Sequence, residues 1–141
     1  MKKIIYLLFP FLLAACNGAP PIIITKPCAI DQPIANSIHP ATEIMAIYGW
    51  VFDKQTVIQP ERIRIQFTST NRKLSKTFEA KQGIKRTDLV LAYSEPNAEL
   101  SGFHLELPAN SLVPEEYEVV ILRDLPNATL ACSNSHFVQM K

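Results

Sequence analysis

The segment RIRIQFTS, residues 62–69, puts Ile63, Ile65 and Phe67 on one side of an extended chain and Arg62, Arg64 and Gln66 on the other. A helix would scatter these six side chains around its circumference, whereas the two-residue repeat of a strand sorts them into one dry and one wet face. TNRK then turns the chain and LSKTFEA returns it, with Leu74, Thr77 and Phe78 less regularly spaced, which predicts a basic β-hairpin. The same alternation recurs in SGFHLELP, where Phe103, Leu105 and Leu107 align. In LVPEEYEVVILRD a turn at Pro114-Glu115 precedes a strand with Tyr117, Val119 and Ile121 on one side and Val120 and Leu122 on the other. EIMAIYGWVFD is apolar on both faces, Ile44, Ala46, Tyr48 and Trp50 opposing Met45, Ile47, Gly49 and Val51, as expected of a central strand; Gly49 leaves space beside it or marks a bulge. Helical spacing is confined to TDLVLAY, which predicts one or two turns capped at Thr87 or Asp88. LPNATLACSNSHFVQM supplies a turn and one or two closing segments, and the stretch around Pro33, Asn36 and Pro40 reads as an irregular loop. About seven short strands, punctuated by 11 prolines in 141 residues, predict a single all-β sandwich domain.

The N-terminus follows a different logic. Lys2 and Lys3 precede an apolar run, Ile4 to Ala15, closed by the small pair Ala14-Ala15. This is the anatomy of a secretory signal peptide. The run falls short of the roughly 20 residues of a permanent membrane helix, and Pro10 interrupts it. Leu13-Ala14-Ala15-Cys16 resembles the lipobox of bacterial lipoproteins. That resemblance implies a diacylglycerol on the Cys16 sulfur, cleavage before Cys16 and acylation of the new amino group. Two or three chains, at about 0.8 kcal/mol per buried methylene, anchor stably where one does not. Asn17 stands where that family places an aspartate for inner-membrane retention, so the implied destination is the outer membrane, with the domain facing the periplasm or the surface. The expected organisation is a signal peptide over 1–15, a lipidated tether over 16–27, entering a first β segment at Ile22-Ile23-Ile24, and a domain over 28–141.

With Cys16 assigned to the anchor, two of the 3 cysteines remain, Cys28 and Cys132. In an oxidising compartment two free thiols do not persist, so a Cys28–Cys132 disulfide is expected. No CxxC pattern supports a metal or redox reading.

Removing Lys2 and Lys3 from the 14 basic residues leaves twelve against 13 acidic ones. The balance is local: Lys54 to Arg86 holds nine basic and two acidic residues, and Thr87 to Asp124 holds eight acidic residues and one basic residue, Arg123. Neighbouring strands with complementary exposed charges account for this split. The functional counterpart is a basic face for an anionic glycan or lipid headgroups, centred on Arg62, Arg64, Arg72 and Lys73. No aromatic series interleaves the basic stretch, so no nucleic-acid partner is expected.

Across residues 44–123 one order of motifs stands out: IYGWVFD, then IRIQF, then KRTDLVLAYSEPNAELSGFHLELP. It resembles a small Ig-like β-sandwich module found in bacterial glycan-related proteins, often appended to glycosyltransferases. The pattern is a Gly-Trp strand, an Arg-Pro-Asp segment leading a helical turn, and a Gly-Phe opening the next strand. The matching positions are Gly49-Trp50, Arg86 with Asp88, and Gly102-Phe103, with Thr87 in place of the proline. The resemblance implies an Ig-like β-sandwich of about seven strands with one short helical turn, and leaves activity undefined, since folds host many functions. Arg86 and Asp88 are expected to pair with each other or with backbone groups of the turn, and Trp50 to fill core.

Catalytic chemistry finds little support. His39, His104 and His136 are scattered without metal-ligand spacing. Ser101, His104 and Asp88 could be drawn as a triad, but no G-x-S-x-G elbow is present. Glu95, Glu99, Glu106, Glu115 and Glu116 fall at loops or exposed strand positions, where solvation explains them better than paired glycoside chemistry. With 4 glycines in the chain there is no phosphate-cradling loop. The expectation is a non-enzymatic envelope lipoprotein with no cofactor, catalytic or metal residues, serving as a binding or assembly module for an envelope protein or glycan. Tyr93, beside the SEPNAE loop, is a candidate contact residue; anionic-glycan or lipopolysaccharide binding through hairpin 62–73 is the alternative.

Overall fold

The computed structural model describes residues 18–25, 27–54, 62–132 and 134–141; the leader and Cys16 lie outside the described residues. The described chain is mostly β. Its strands are β1 (Ile22–Thr25), β2 (Cys28–Gln32), β3 (Ser37–His39), β4 (Met45–Val51), β5 (Arg62–Ser69), β6 (Ser75–Ile84), β7 (Gly102–Leu107), β8 (Glu116–Leu125), β9 (Ala128–Cys132) and β10 (Phe137–Met140). Helix α1 (Thr87–Tyr93) and a 3-10 turn at Pro96–Ala98 lie between β6 and β7.

These strands form one curled mixed sheet, ordered β1-β9-β8-β5-β6-β7-β4-β2. β5 lines one side of β8 from Arg62 opposite Asp124 to Ser69 opposite Tyr117. Two strands share the other side: β9 along Leu122 to Leu125, and β10 along Glu116 to Glu118. β1 adds to β9 and β3 to β10, both in parallel. The outer border on that side is therefore broken, β1 at one end and β3 at the other. The turn of the sheet is made by β6, whose residues 75–80 pair with β5 and whose residues from Lys81 onward pair with β7. The path closes through a covalent bond. Cys28 opens β2 and Cys132 ends β9, and their disulfide (Cα–Cα 6.0 Å) links one end strand of the sheet to the strand beside the other end.

The alternating segments all turn their apolar rows to one core. Ile63, Ile65 and Phe67 meet Phe103, Leu105 and Leu107, Tyr117, Val119 and Ile121, and Met45, Ile47 and Val51, all buried. The β8 row then ends on Arg123, also buried, whose guanidinium pKa falls because burial penalises its charge while the Asp53 carboxylate opposes that penalty. β4 is central, flanked by β2 and β7. Its second face is covered only at one end, where Trp50 and Phe52 pack with Leu89 of α1 and Ala98, while Ala46 and Tyr48 stay exposed. Two expectations need correction. The described strands number ten rather than about seven, because CAIDQ and SIH, too short and irregular to show alternation, are ordered by pairing with β4 and β10. The residue preceding α1 is Arg86, without a side-chain capping bond; Thr87 and Asp88 lie inside the first turn.

Candidate functional site

Register decides the fate of the basic hairpin. Arg62 and Arg64 alternate outward on β5 directly beside Asp124 of β8. Arg62 Nε donates to Asp124 Oδ2 at 2.7 Å, and Arg64 grips both carboxylate oxygens through Nε and Nη2, each at 2.7 Å. Thr129 of β9 donates its hydroxyl to Asp124 Oδ1 at 2.9 Å. Burial raises the Asp124 pKa, but the hydrogen bonds from Arg64, Arg62 and Thr129 outweigh it and hold the carboxyl at about 2. The same pairing raises the Arg64 pKa. Complementary strands thus engage both arginines, with the Arg62 side chain still 55% exposed. Arg72 and Lys73 remain exposed at the hairpin tip, where Asn71 organises the turn by accepting from Ser69 Oγ and the Lys73 amide.

Arg86 is the second ionic centre. It donates from Nε and Nη2 to the two carboxylate oxygens of Asp88 at 3.0 and 2.7 Å, and from Nη1 to Asp31 of β2 at 2.7 Å. The expected Arg86–Asp88 pair therefore forms, with a third member that sequence spacing did not reveal. Its guanidinium draws the Asp88 carboxyl below the usual range. The motif glycines make room for their neighbours. A Cβ on Gly102 would lie 2.7 Å from the Ile84 carbonyl oxygen and 3.0 Å from Arg86 Cγ. A Cβ on Gly49 would collide with the Ala29 carbonyl oxygen and stand 2.6 Å from the Phe103 ring. Gly49 and Phe103 are also cross-strand partners, so the two glycine motifs interlock.

Tyr93 is 38% exposed and packs its ring against Trp50 and Phe52, with centroids 5.6 and 5.3 Å apart. It serves both core and surface. Leu91 of the same helix is 78% exposed.

An outward row on β4, β7 and β6 was not singled out from sequence. Tyr48 lies opposite His104, and His104 opposite Lys81. The Tyr48 and His104 rings stack with centroids 4.4 Å apart, and Glu79, Lys81 and Glu106 frame a shallow open depression beside His104. His104 Nε2 is shielded from solvent without a hydrogen-bond partner. The row offers ring edges between a cation and two carboxylates. The signal for it is cross-strand register, which one strand's alternation does not carry.

The drawn triad does not assemble: Ser101 Oγ donates to the Ala98 carbonyl at 2.7 Å, His104 stacks on Tyr48, and Asp88 is held by Arg86. His136 is buried with Nε2 2.9 Å from the Pro33 carbonyl oxygen, its pKa lowered by burial; His39 Nε2 lies 2.9 Å from Ser37 Oγ. Among the described residues no three metal-ligating side chains converge, and no helix is long and apolar enough to cross a membrane. Compared with known family models, curated proteins and solved structures, the chain matches none.

Proposed function

We propose that this chain is a non-enzymatic envelope lipoprotein, anchored in the outer membrane through acylated Cys16, whose Ig-like β-sandwich serves as a binding or assembly module. The Cys28–Cys132 disulfide carries this reading, because a bond that ties β2 to β9 belongs to an oxidising compartment. The leader ending in Leu13-Ala14-Ala15-Cys16 supplies the route there. A protein partner is favoured over an anionic glycan because Asp124 already engages Arg62 through Nε and Arg64 through Nε and Nη2. Arg72 and Lys73, exposed at the hairpin tip, are the hairpin cations that lie outside that cluster.

Replacing Cys16 with serine tests the anchor. The wild-type chain is expected in the outer-membrane fraction with its leader cut, and Cys16→Ser is expected to leave that fraction. A Cys16→Ser chain that is still processed and membrane-bound sinks the anchor reading. Affinity capture tests the module. Recovery of one envelope protein irrespective of salt supports the protein-partner reading. Retention on an anionic polysaccharide that salt abolishes, and that Arg72→Ser with Lys73→Ser removes, transfers the function to the glycan.

A further inference from the structure

The border formed by β1 and β3 gathers most of the exposed isoleucines. Ile22, Ile23 and Ile24 of β1 are 68, 50 and 65% exposed, Ile38 of β3 is 58% exposed, and Ile34, in the turn before β3, is 65% exposed. Only Ile44 among the exposed isoleucines of the described residues lies elsewhere. Among the described residues both strands pair on one side only, β1 with β9 and β3 with β10, and their outer backbone groups face no other described strand. β1 and β3 both border the side of β8 away from β5. Apolar side chains and an open border thus follow one edge of the sheet, about 30 Å long at the rise of a strand.

We infer that this β1–β3 border rests on the lipid surface and lays the domain edge-down at the headgroup level. The inference rests on the Cys16 anchor proposed above. Five residues, Asn17 to Pro21, lie between Cys16 and Ile22, so covalent reach alone holds the start of β1 within about 20 Å of the acylated sulfur. An added strand from a partner would satisfy the border's backbone groups but leave isoleucines wet on both faces of β1, since Ile23 points opposite to Ile22 and Ile24. A lipid interface covers both faces at once. Its water and headgroups supply partners for the open N–H and C=O groups, which the hydrocarbon core does not.

The test uses the full lipidated chain in vesicles of phosphatidylethanolamine and phosphatidylglycerol. Single tryptophans replace Ile23, Ile38 or, as a control three strands away at the hairpin tip, Leu74; the native Trp50, 7% exposed, is a constant background measured in the wild type. The expected result is blue-shifted emission from Ile23→Trp and Ile38→Trp, quenched by lipids brominated near the headgroup end of their chains. Leu74→Trp is expected to stay water-like and unquenched. Chains that float with vesicles while Ile23→Trp and Ile38→Trp emit like the control overturn the border contact and leave the anchor standing. Chains that do not float remove the anchor and the contact together. Blue-shifted but unquenched emission, with cross-links between copies, assigns the border to a second copy and also overturns the inference.

Discussion

Asp124 sits with its side chain 9% exposed between two guanidiniums. Its folded pKa of about 2 lies below the ordinary 3.8, so its stabilisation is complete above about pH 4 and is lost as pH falls through about 2. The shift corresponds to roughly 2 kcal/mol; allowing for the screening of Arg62, 55% exposed, about 1–2 kcal/mol remains. Urea unfolding followed from pH 6 to pH 2 is expected to show this acid limb in the wild type and a flattened one in Asp124→Asn, with a neutral-pH loss of about 1–3 kcal/mol from the charge-assisted bonds. An unchanged acid limb in the variant would show that other carboxylates set it. Arg62 and Arg64 were legible as an exposed basic pair because their alternation is local. Their partner was not, since Asp124 lies 60 residues beyond Arg64 and only pairing of β5 with β8 brings it near.

At the scale of elements, what the sequence made plain and what it hid divide by pattern length. β5, β7 and β8 carry three or more alternating apolar residues, and α1 was visible as a short break in that alternation. β2 and β3 were not, because strands of five and three residues take their geometry from β4 and β10 rather than from their own sequence. The corner in β6 was also hidden. There the β6–β7 register slips between Gln82 and Ile84 at Gly83, which has φ 77° and open space around it. Gly83 serves through its backbone angle and Gly49 through the room it gives Phe103, so the two should respond differently to the same change. Gly83→Ala is expected to cost about 1 kcal/mol, the penalty of a methyl at positive φ. Gly49→Ala is expected to cost about 3 kcal/mol or more, since the obstructing atoms include the Ala29 backbone carbonyl. Phe103→Leu should recover part of the loss in the Gly49→Ala background and none of it in the Gly83→Ala background. Chemical denaturation of the four variants reads both effects, and equal costs at the two glycines would refute the distinction.

For the molecule as a whole, the sheet is continuous from β1 to β2 but among the described residues its ends share no strand pairing, so closure depends on packing across the core and on one covalent bond. That bond spans 104 residues of sequence. In the chain-entropy description a loop of this size is worth roughly 4–5 kcal/mol, a third or more of the stability of many domains. β2 has one strand neighbour, β4, whereas β5 and β8 are paired on both sides. Loss of the staple should therefore loosen the sheet unevenly, freeing β2 and the β1–β9 end before the centre. The Cys28→Ala, Cys132→Ala double variant is expected to melt on the order of 20 °C lower than the oxidised wild type. At temperatures where it is still folded, amide exchange should accelerate most in β2 and β9 and least in β5 and β8. A reductant should produce the same pattern in the wild type and none in the double variant. Uniform acceleration across the sheet would mean that the curled sheet opens as one unit, and that the core, rather than the disulfide, holds its ends together.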